Sequence, residues 1–250
     1  MARLSAPVLA LLGLLAVAVI SMVAYAATGS RRDADAERRG ARFLLGLGDF
    51  LVHWFLWLIS PVERLSLRAG LGPDFYNLAG VLFGLAIGIA IALGHLGMGA
   101  LGIALCGVCD IMDGRMARAR ALASPYGAFI DSTLDRFVEV FIFLGFVVLL
   151  RGFAYGPLVA AAAITGSLLV SYARARGESV GVLCKEGLMQ RAERMVLTFA
   201  ACLFDHPVTA SLGWRPGRLV EWVLALIAVG TFATAAHRTS WIAARLRERS

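Results

Sequence analysis

Charge is scarce in this chain. Of its 250 residues only 16% are Asp, Glu, Lys or Arg, where a soluble domain carries about 25%. That deficit excludes an ordinary soluble fold. A cysteine framework is missing too. Cys106, Cys109, Cys184 and Cys202 are scattered, and the C-x-x-C at 106–109 has no second pair to complete it. Neither a disulfide scaffold nor a zinc ribbon is implied, and the four read as small apolar residues of the interior. His53, His95, His206 and His237 lie far apart and share no ligand spacing. No internal repeat is evident. The net charge is +7, yet nothing in its placement supports nucleic-acid binding.

Hydrophobic length is what the chain has. Hydrophobic residues make up 59% of it, and the mean hydropathy is +0.76. These values imply an all-α polytopic membrane protein. A bilayer-crossing helix needs about 20 mostly apolar residues. Segments 5–27, 76–95, 97–115, 128–150, 157–175, 192–205 (with a ragged end) and 219–237 qualify. The stretch 41–70 differs, because Asp49, His53, Glu63, Arg64 and Arg68 interrupt its leucines and aromatics. It reads as an interfacial juxtamembrane helix, with a further span as the alternative. The expected architecture is this interfacial helix plus a six-helix transmembrane bundle over 71–250, preceded by an extra N-terminal hydrophobic helix. Trp54, Trp57, Trp214, Trp222 and Trp241 fall near segment ends, as an aromatic belt would. Gly84, Gly88 and Gly94 offer small-residue faces for helix contact.

Orientation follows from the basic residues. With 28–75 in the cytoplasm, that side collects Arg31, Arg32, Arg38, Arg39, Arg42, Arg64 and Arg68. The connections at 115–126 and 176–191 and the tail then add Arg115, Arg118, Arg120, Arg176, Lys185, Arg191, Arg238, Arg245, Arg247 and Arg249. The opposite side keeps only Arg3, Arg151, Arg215 and Arg218. The arginine-rich tail suits contact with anionic membrane lipids. Residues 1–27 are open to two readings. Ala24-Tyr25-Ala26 resembles a signal-peptidase site, but Arg31 and Arg32 follow at once, which favours an uncleaved anchor with its N-terminus outside. Residues 28–40 read as a charged linker.

Against this apolar background stand Asp110, Asp113, Asp131 and Asp135. A carboxylate near the bilayer is costly and marks a functional site. Asp110 and Asp113 are three residues apart, Asp131 and Asp135 four, so each pair shares one helix face. Two such helices can enclose one or two hard cations. Mg²⁺ suits an all-oxygen set completed by phosphate, and the lack of Cys/His ligands argues against zinc. Gly114, Ala117 and Gly127 leave the backbone bare beside the carboxylates, and Arg118 adds a donor fork suited to phosphate.

The run Asp110-x-x-Asp113-Gly114-x-x-Ala117-Arg118, then eight residues, then Gly127-x-x-x-Asp131-x-x-x-Asp135 resembles the signature of the CDP-alcohol phosphotransferase family. Those proteins are integral membrane enzymes of phospholipid synthesis, and the resemblance extends from about Leu71 to the C-terminus. It implies that a CDP-linked lipid such as CDP-diacylglycerol binds, an alcohol hydroxyl attacks the phosphorus next to the lipid, and CMP leaves. It implies Asp110, Asp113 and Asp131 as metal ligands. Asp135 would stand near the metals and act as general base. Two Mg²⁺ ions are the implied cofactor, with Mn²⁺ as substitute. Asp113, Gly114, Ala117, Arg118 and Gly127 would shape the CDP pocket. The family often opens its first core span with Pro-Asn and Thr. Here the run is Pro73-Asp74-Phe75-Tyr76-Asn77, so Pro73 and Asp74 join the pocket on a weaker match. Some members of the family are dimers, and a glycine face could serve a homodimer here.

The acceptor is addressed by a second cluster. Arg174 closes one apolar segment, and Arg191 and Arg194 open the next. Arginines converging on an acidic metal site suit an anionic acceptor. The stretch is similar to bacterial phosphatidylinositol-phosphate synthases, which implies inositol phosphate, with glycerol 3-phosphate next. Positive-inside anchoring with Arg–Glu pairs to Glu178 and Glu193 is the structural alternative. Two other classes compete with the enzyme. A divalent-cation channel or transporter would use the aspartates but not the fixed offsets of Gly114, Ala117, Arg118 and Gly127. A catalytically silent scaffold would leave costly carboxylates unused.

Overall fold

The computed structural model describes residues 6–28, 47–184 and 186–249. The expected linker at 28–40 beyond Thr28, residues 41–46 and Lys185 lie outside the described residues. Eight α-helices appear among those described: α1 (Ala6–Thr28), α2 (Leu47–Arg68), α3 (Pro73–Ala92), α4 (Leu96–Ala119), α5 (Pro125–Leu149), α6 (Gly156–Ser179), α7 (Arg191–Leu212) and α8 (Arg218–Arg247). One 3₁₀ turn, Leu150–Gly152, follows α5.

The helices start and stop where local chemistry dictates. Pro73 and Pro125 sit in the first turns of α3 and α5, where a missing N–H costs nothing. Ser124 caps α5, its hydroxyl accepting from the Gly127 amide at 3.1 Å. Gly213, at φ +64°, closes α7 in the left-handed region that glycine adopts without strain. The expected ragged end of the 192–205 segment is instead a continuous helix. It runs through Pro207 to Leu212, and the Thr209 hydroxyl donates to the Asp205 carbonyl at 2.6 Å.

Helices α3 to α8 close a ring. α3 lies against α4 and α5, α6 against α5 and α8, and α7 against α4 and α8. The interior is apolar, with Ile91, Ile142, Phe143, Phe146, Leu150, Val220 and Ile227 almost wholly buried. The α3–α5 contact is backbone to backbone. A Cβ on Gly88 would collide with the Phe141 carbonyl, and one on Gly145 would collide with the Gly88 carbonyl. Gly84 meets Val138 in the same seam. Gly84 and Gly88 thus serve an internal helix contact. Gly94 does not belong to that face; at φ +87° it ends α3 with open space around it.

Helices α3, α4, α6, α7 and α8 are long and apolar enough to cross a bilayer. α5 equals them in length, but Asp131, Asp135, Arg136 and Glu139 give it more charge than the apolar windows of the other five hold. The apolar stretch Ala16–Thr28 of α1 is shorter. The chain is an integral membrane protein. Outside the ring, α2 touches α4 and α1, and α1 also touches α7. Leu56 and Ile59 of α2 are buried with Met112 and Met116 of α4. The Trp54 indole donates to the Ser21 hydroxyl at 3.1 Å, joining α1 to α2.

Candidate functional site

The short turn between α4 and α5 folds the two aspartate-bearing helix ends beside each other. Ala121 makes this possible by taking φ +53°, uncommon for a residue with a Cβ. Carboxylate oxygens of Asp110, Asp113 and Asp131 come within 4.8 Å of one another. Asp113 is buried, and Asp131 Oδ1 is buried with no hydrogen-bond partner. Three crowded carboxylates with an orphaned oxygen are unfavourable unless a cation lies among them. The donors are all oxygen, so the set fits a hard divalent ion. The fourth aspartate stands apart from this trio. Asp135 Oδ1 is held by Arg191 Nη2 at 2.7 Å, while Arg191 Nη1 reaches Asp110 Oδ1 at 2.8 Å.

Two clefts open beside the carboxylates. One is an open groove of about 600 Å³ between α3, α4 and the start of α5. Its walls include Pro73, Asp74, Asp113, Gly114, Ala117, Arg118, Gly127 and Asp131. Every residue expected to shape a nucleotide pocket therefore meets there. A Cβ on Gly114 would stand 3.3 Å from Arg118 Nη1, so the glycine leaves room for the guanidinium one turn later. The other cleft is narrower and is bordered by Tyr76, Asn77, Asp110, Asp113, Asp135 and Arg191. Asp113 and Asn77 belong to both clefts.

The three expected acceptor arginines separate. Arg191 is at the carboxylates. Arg194 is 1% exposed and locked elsewhere: Nε meets Glu139 Oε1 at 2.5 Å, Nη2 meets Oε2 at 2.9 Å, and Nη1 donates to the Met189 carbonyl at 3.1 Å. This bidentate pair replaces the Glu193 pairing considered from sequence and leaves Arg194 no free face for an acceptor. Arg174 Nε pairs with Glu178 Oε1 at 2.9 Å on an exposed face, as the structural alternative anticipated; it is not brought to the aspartates. Asp131, Asp135 and Glu139 are spaced one turn apart on α5, and the last two bind Arg191 and Arg194 of α7 in register. The C-x-x-C cysteines are buried and free.

Asn77 and Glu139 were not singled out from the sequence. Asn77 had a readable signal, since it lies one turn after Asp74 on the same face. Glu139 also had one, being the next helical repeat after Asp131 and Asp135.

This arrangement agrees with known proteins. Residues 72–242 match the profile of the CDP-alcohol phosphatidyltransferase family. The archaetidylinositol phosphate synthase of Methanothermobacter thermautotrophicus is 33% identical over 186 residues, covering 74% of this chain and 90% of that protein. The phosphatidylinositol phosphate synthase of Mycobacteroides abscessus is 34% identical over 197 residues, covering 74% and 86%. Among solved structures, phosphatidylinositol phosphate synthase of Mycobacterium tuberculosis with CDP-DAG bound superposes with a TM-score of 0.64 at 26% identity, over 73% of this chain and 92% of that one. The same enzyme with manganese and citrate gives a TM-score of 0.65, covering 73% and 87%. By sequence, by fold and by the aspartates that line the two clefts, the chain is an enzyme of phospholipid synthesis and belongs to the CDP-alcohol phosphatidyltransferase family.

Proposed function

We propose that the enzyme transfers a phosphatidyl group from CDP-diacylglycerol to a hydroxyl of inositol phosphate and releases CMP. Glycerol 3-phosphate is the next acceptor by chemistry. The observation that carries this reading is the shared wall of the two clefts. Asp113 borders both the groove lined by the nucleotide-type residues and the cleft that holds Asp135 and Arg191. A donor in one and an anionic acceptor in the other would meet at the acidic trio.

In this reading Asp110, Asp113 and Asp131 hold two Mg²⁺ ions, or Mn²⁺, with Asp135 beside them. Bound metal would offset pyrophosphate charge and stabilise the leaving CMP. The rest belongs to side chains. Gly114, Ala117 and Gly127 leave space for the cytidine and its phosphates, with Pro73, Asp74 and Arg118 on the rim. Arg191, whose Nε is buried without a hydrogen-bond partner, holds the acceptor phosphate through the N–H donors that Asp110 and Asp135 leave open. Asp135 takes the proton of the acceptor hydroxyl as its oxygen bonds to the lipid-bearing phosphorus. The bond from that phosphorus to the oxygen bridging it to CMP breaks, and CMP departs with that oxygen. Arg194 does not touch substrate; its pair with Glu139 fixes α7 against α5 and so aims Arg191.

The membrane arrangement belongs to the same proposal. α3 to α8 are the six spans of a catalytic unit over 71–250, α2 lies at the interface, and residues 1–27 are an anchor joined by the linker at 28–40. The site faces the cytoplasm, supported by the arginines at that end of α4, α6 and α8. A homodimer is compatible with this unit. The test is CMP release by purified protein with CDP-diacylglycerol and Mg²⁺, offering inositol phosphate, glycerol 3-phosphate, inositol, serine and ethanolamine separately. Release with inositol phosphate, abolished by EDTA, is expected. Release with only an uncharged acceptor would overturn the role of Arg191.

A further inference from the structure

Helix α2 carries no residue of either cleft, yet it is bound by polar contacts to chain immediately beside both. Glu63 accepts from Arg115 Nη2 through both carboxylate oxygens, at 2.9 and 2.8 Å. Arg115 directly follows Gly114. One residue turns an α-helix by about 100°, so Gly114 faces the nucleotide groove while Arg115 reaches round to α2. A second contact comes from the end of α4. Arg120 Nη1 donates to the carbonyls of Gly70 and Leu71 in the linker after α2, at 2.7 and 3.2 Å, three and two residues before Pro73 enters the groove wall. In a third, the hydroxyls of Ser66 and Tyr76 are hydrogen-bonded in a buried setting, and Tyr76 borders the acceptor cleft.

These contacts are placed too consistently to be general adhesion. The Glu63–Arg115 pair and the Arg120 contact each lie within three residues of an opposite wall of the nucleotide groove: one on α4 beside Gly114, one on the lead-in to α3 beside Pro73 and Asp74. Both side chains of the Glu63–Arg115 pair are largely shielded, at 15% and 17% exposed, so the pair is screened less than a surface bridge. Beneath it, Leu56 and Ile59 seat α2 on Met112 and Met116. The methionines flank Asp113 in sequence and are fully buried.

We propose that α2 is a positioning element for the CDP-linked lipid. Through Glu63–Arg115, and through the linker that follows it, whose residues 70–71 Arg120 clamps, it sets the width of the groove between the start of α3 and the end of α4. This rests on the proposed reaction and adds residues that act on donor binding without touching the donor. A groove held at the wrong width still reacts once filled, so the effect belongs in the donor KM rather than in kcat.

The test is steady-state kinetics of Glu63→Gln, Arg115→Gln, their double variant and Arg120→Gln, varying CDP-diacylglycerol and inositol phosphate in turn. Arg120 is exposed, so its substitution empties no core and keeps the test open if the Glu63 variants fold poorly. Each single variant is expected to raise the KM for CDP-diacylglycerol about tenfold, equivalent to about 1.4 kcal/mol of binding, with kcat and the acceptor KM changed less than about twofold. A donor KM unchanged while the melting temperature falls would make the contacts structural only and overturn the proposal. So would equal rises in both KM values. Wild-type protein inactive with every acceptor would sink the reaction and this inference together; active wild type with unaltered variants would sink this inference alone.

Discussion

Arg191 is the residue on which the proposed chemistry turns. Its guanidinium bridges Asp110 and Asp135 at 2.8 and 2.7 Å, so one side chain borders the metal-type carboxylates and the candidate base. Arg191→Ala should raise the KM for inositol phosphate at least about tenfold while that for CDP-diacylglycerol moves little, one charge-assisted contact being worth about 1.5–3 kcal/mol. Equal shifts in the two constants would mean the arginine is only structural. Asp135→Asn keeps the shape and removes the proton acceptor. Turnover should fall by at least about a hundredfold while CDP-diacylglycerol binding, followed by calorimetry, persists. Arg194 belongs to another kind. With Glu139 almost wholly buried beside it, Arg194→Ala strands a carboxylate and should cost about 3–5 kcal/mol. Its signature is a lowered melting temperature in detergent, with Glu139→Gln/Arg194→Met recovering much of the loss.

Among the elements, α5 shows most clearly how function shapes a helix. It is as long as the spanning helices, but one face carries Asp131, Asp135 and Glu139 at successive turns. That face brings Asp135 and Glu139 to Arg191 and Arg194 of α7 and Asp131 to the acidic trio, while Arg136 on another face donates to the Ser132 carbonyl. The seam between α3 and α5 sets how closely the carboxylates of α4 and α5 approach. Gly88→Val would drive a branched side chain into the Phe141 carbonyl and push the helices apart. A loss of about 1–3 kcal/mol is expected, read as a fall in melting temperature together with weaker metal activation. Normal stability and normal metal dependence would show that the seam has slack.

For the molecule as a whole, the acidic trio is a debt carried by the metal-free state. Mg²⁺ should therefore stabilise the folded protein and not merely switch it on. At a hundred times its dissociation constant the ion should add about 2.7 kcal/mol, seen as a higher melting temperature after EDTA-treated protein is reloaded. Asp113→Ala should abolish that shift. An equal rise in the Asp113→Ala protein would place the ion elsewhere.

What the sequence determined by itself was local and periodic. The helices, five of the expected spans and the two aspartate pairs could be read because each depends on residues within a few turns of one helix, and the family signature with its groove glycines runs over two consecutive helices. α5 was readable as a helix despite its charges for the same reason. Tertiary structure alone decided how the arginines divide. Arg174, Arg191 and Arg194 look alike in a string of letters, yet one pairs along its own helix, one reaches the carboxylates and one is sealed against Glu139, 55 positions away. The grip of α2 on Arg115, across 52 positions, was equally invisible. Periodicity reports which face of a helix a residue occupies, but the partner of a long charged side chain is set by which helices the ring brings together.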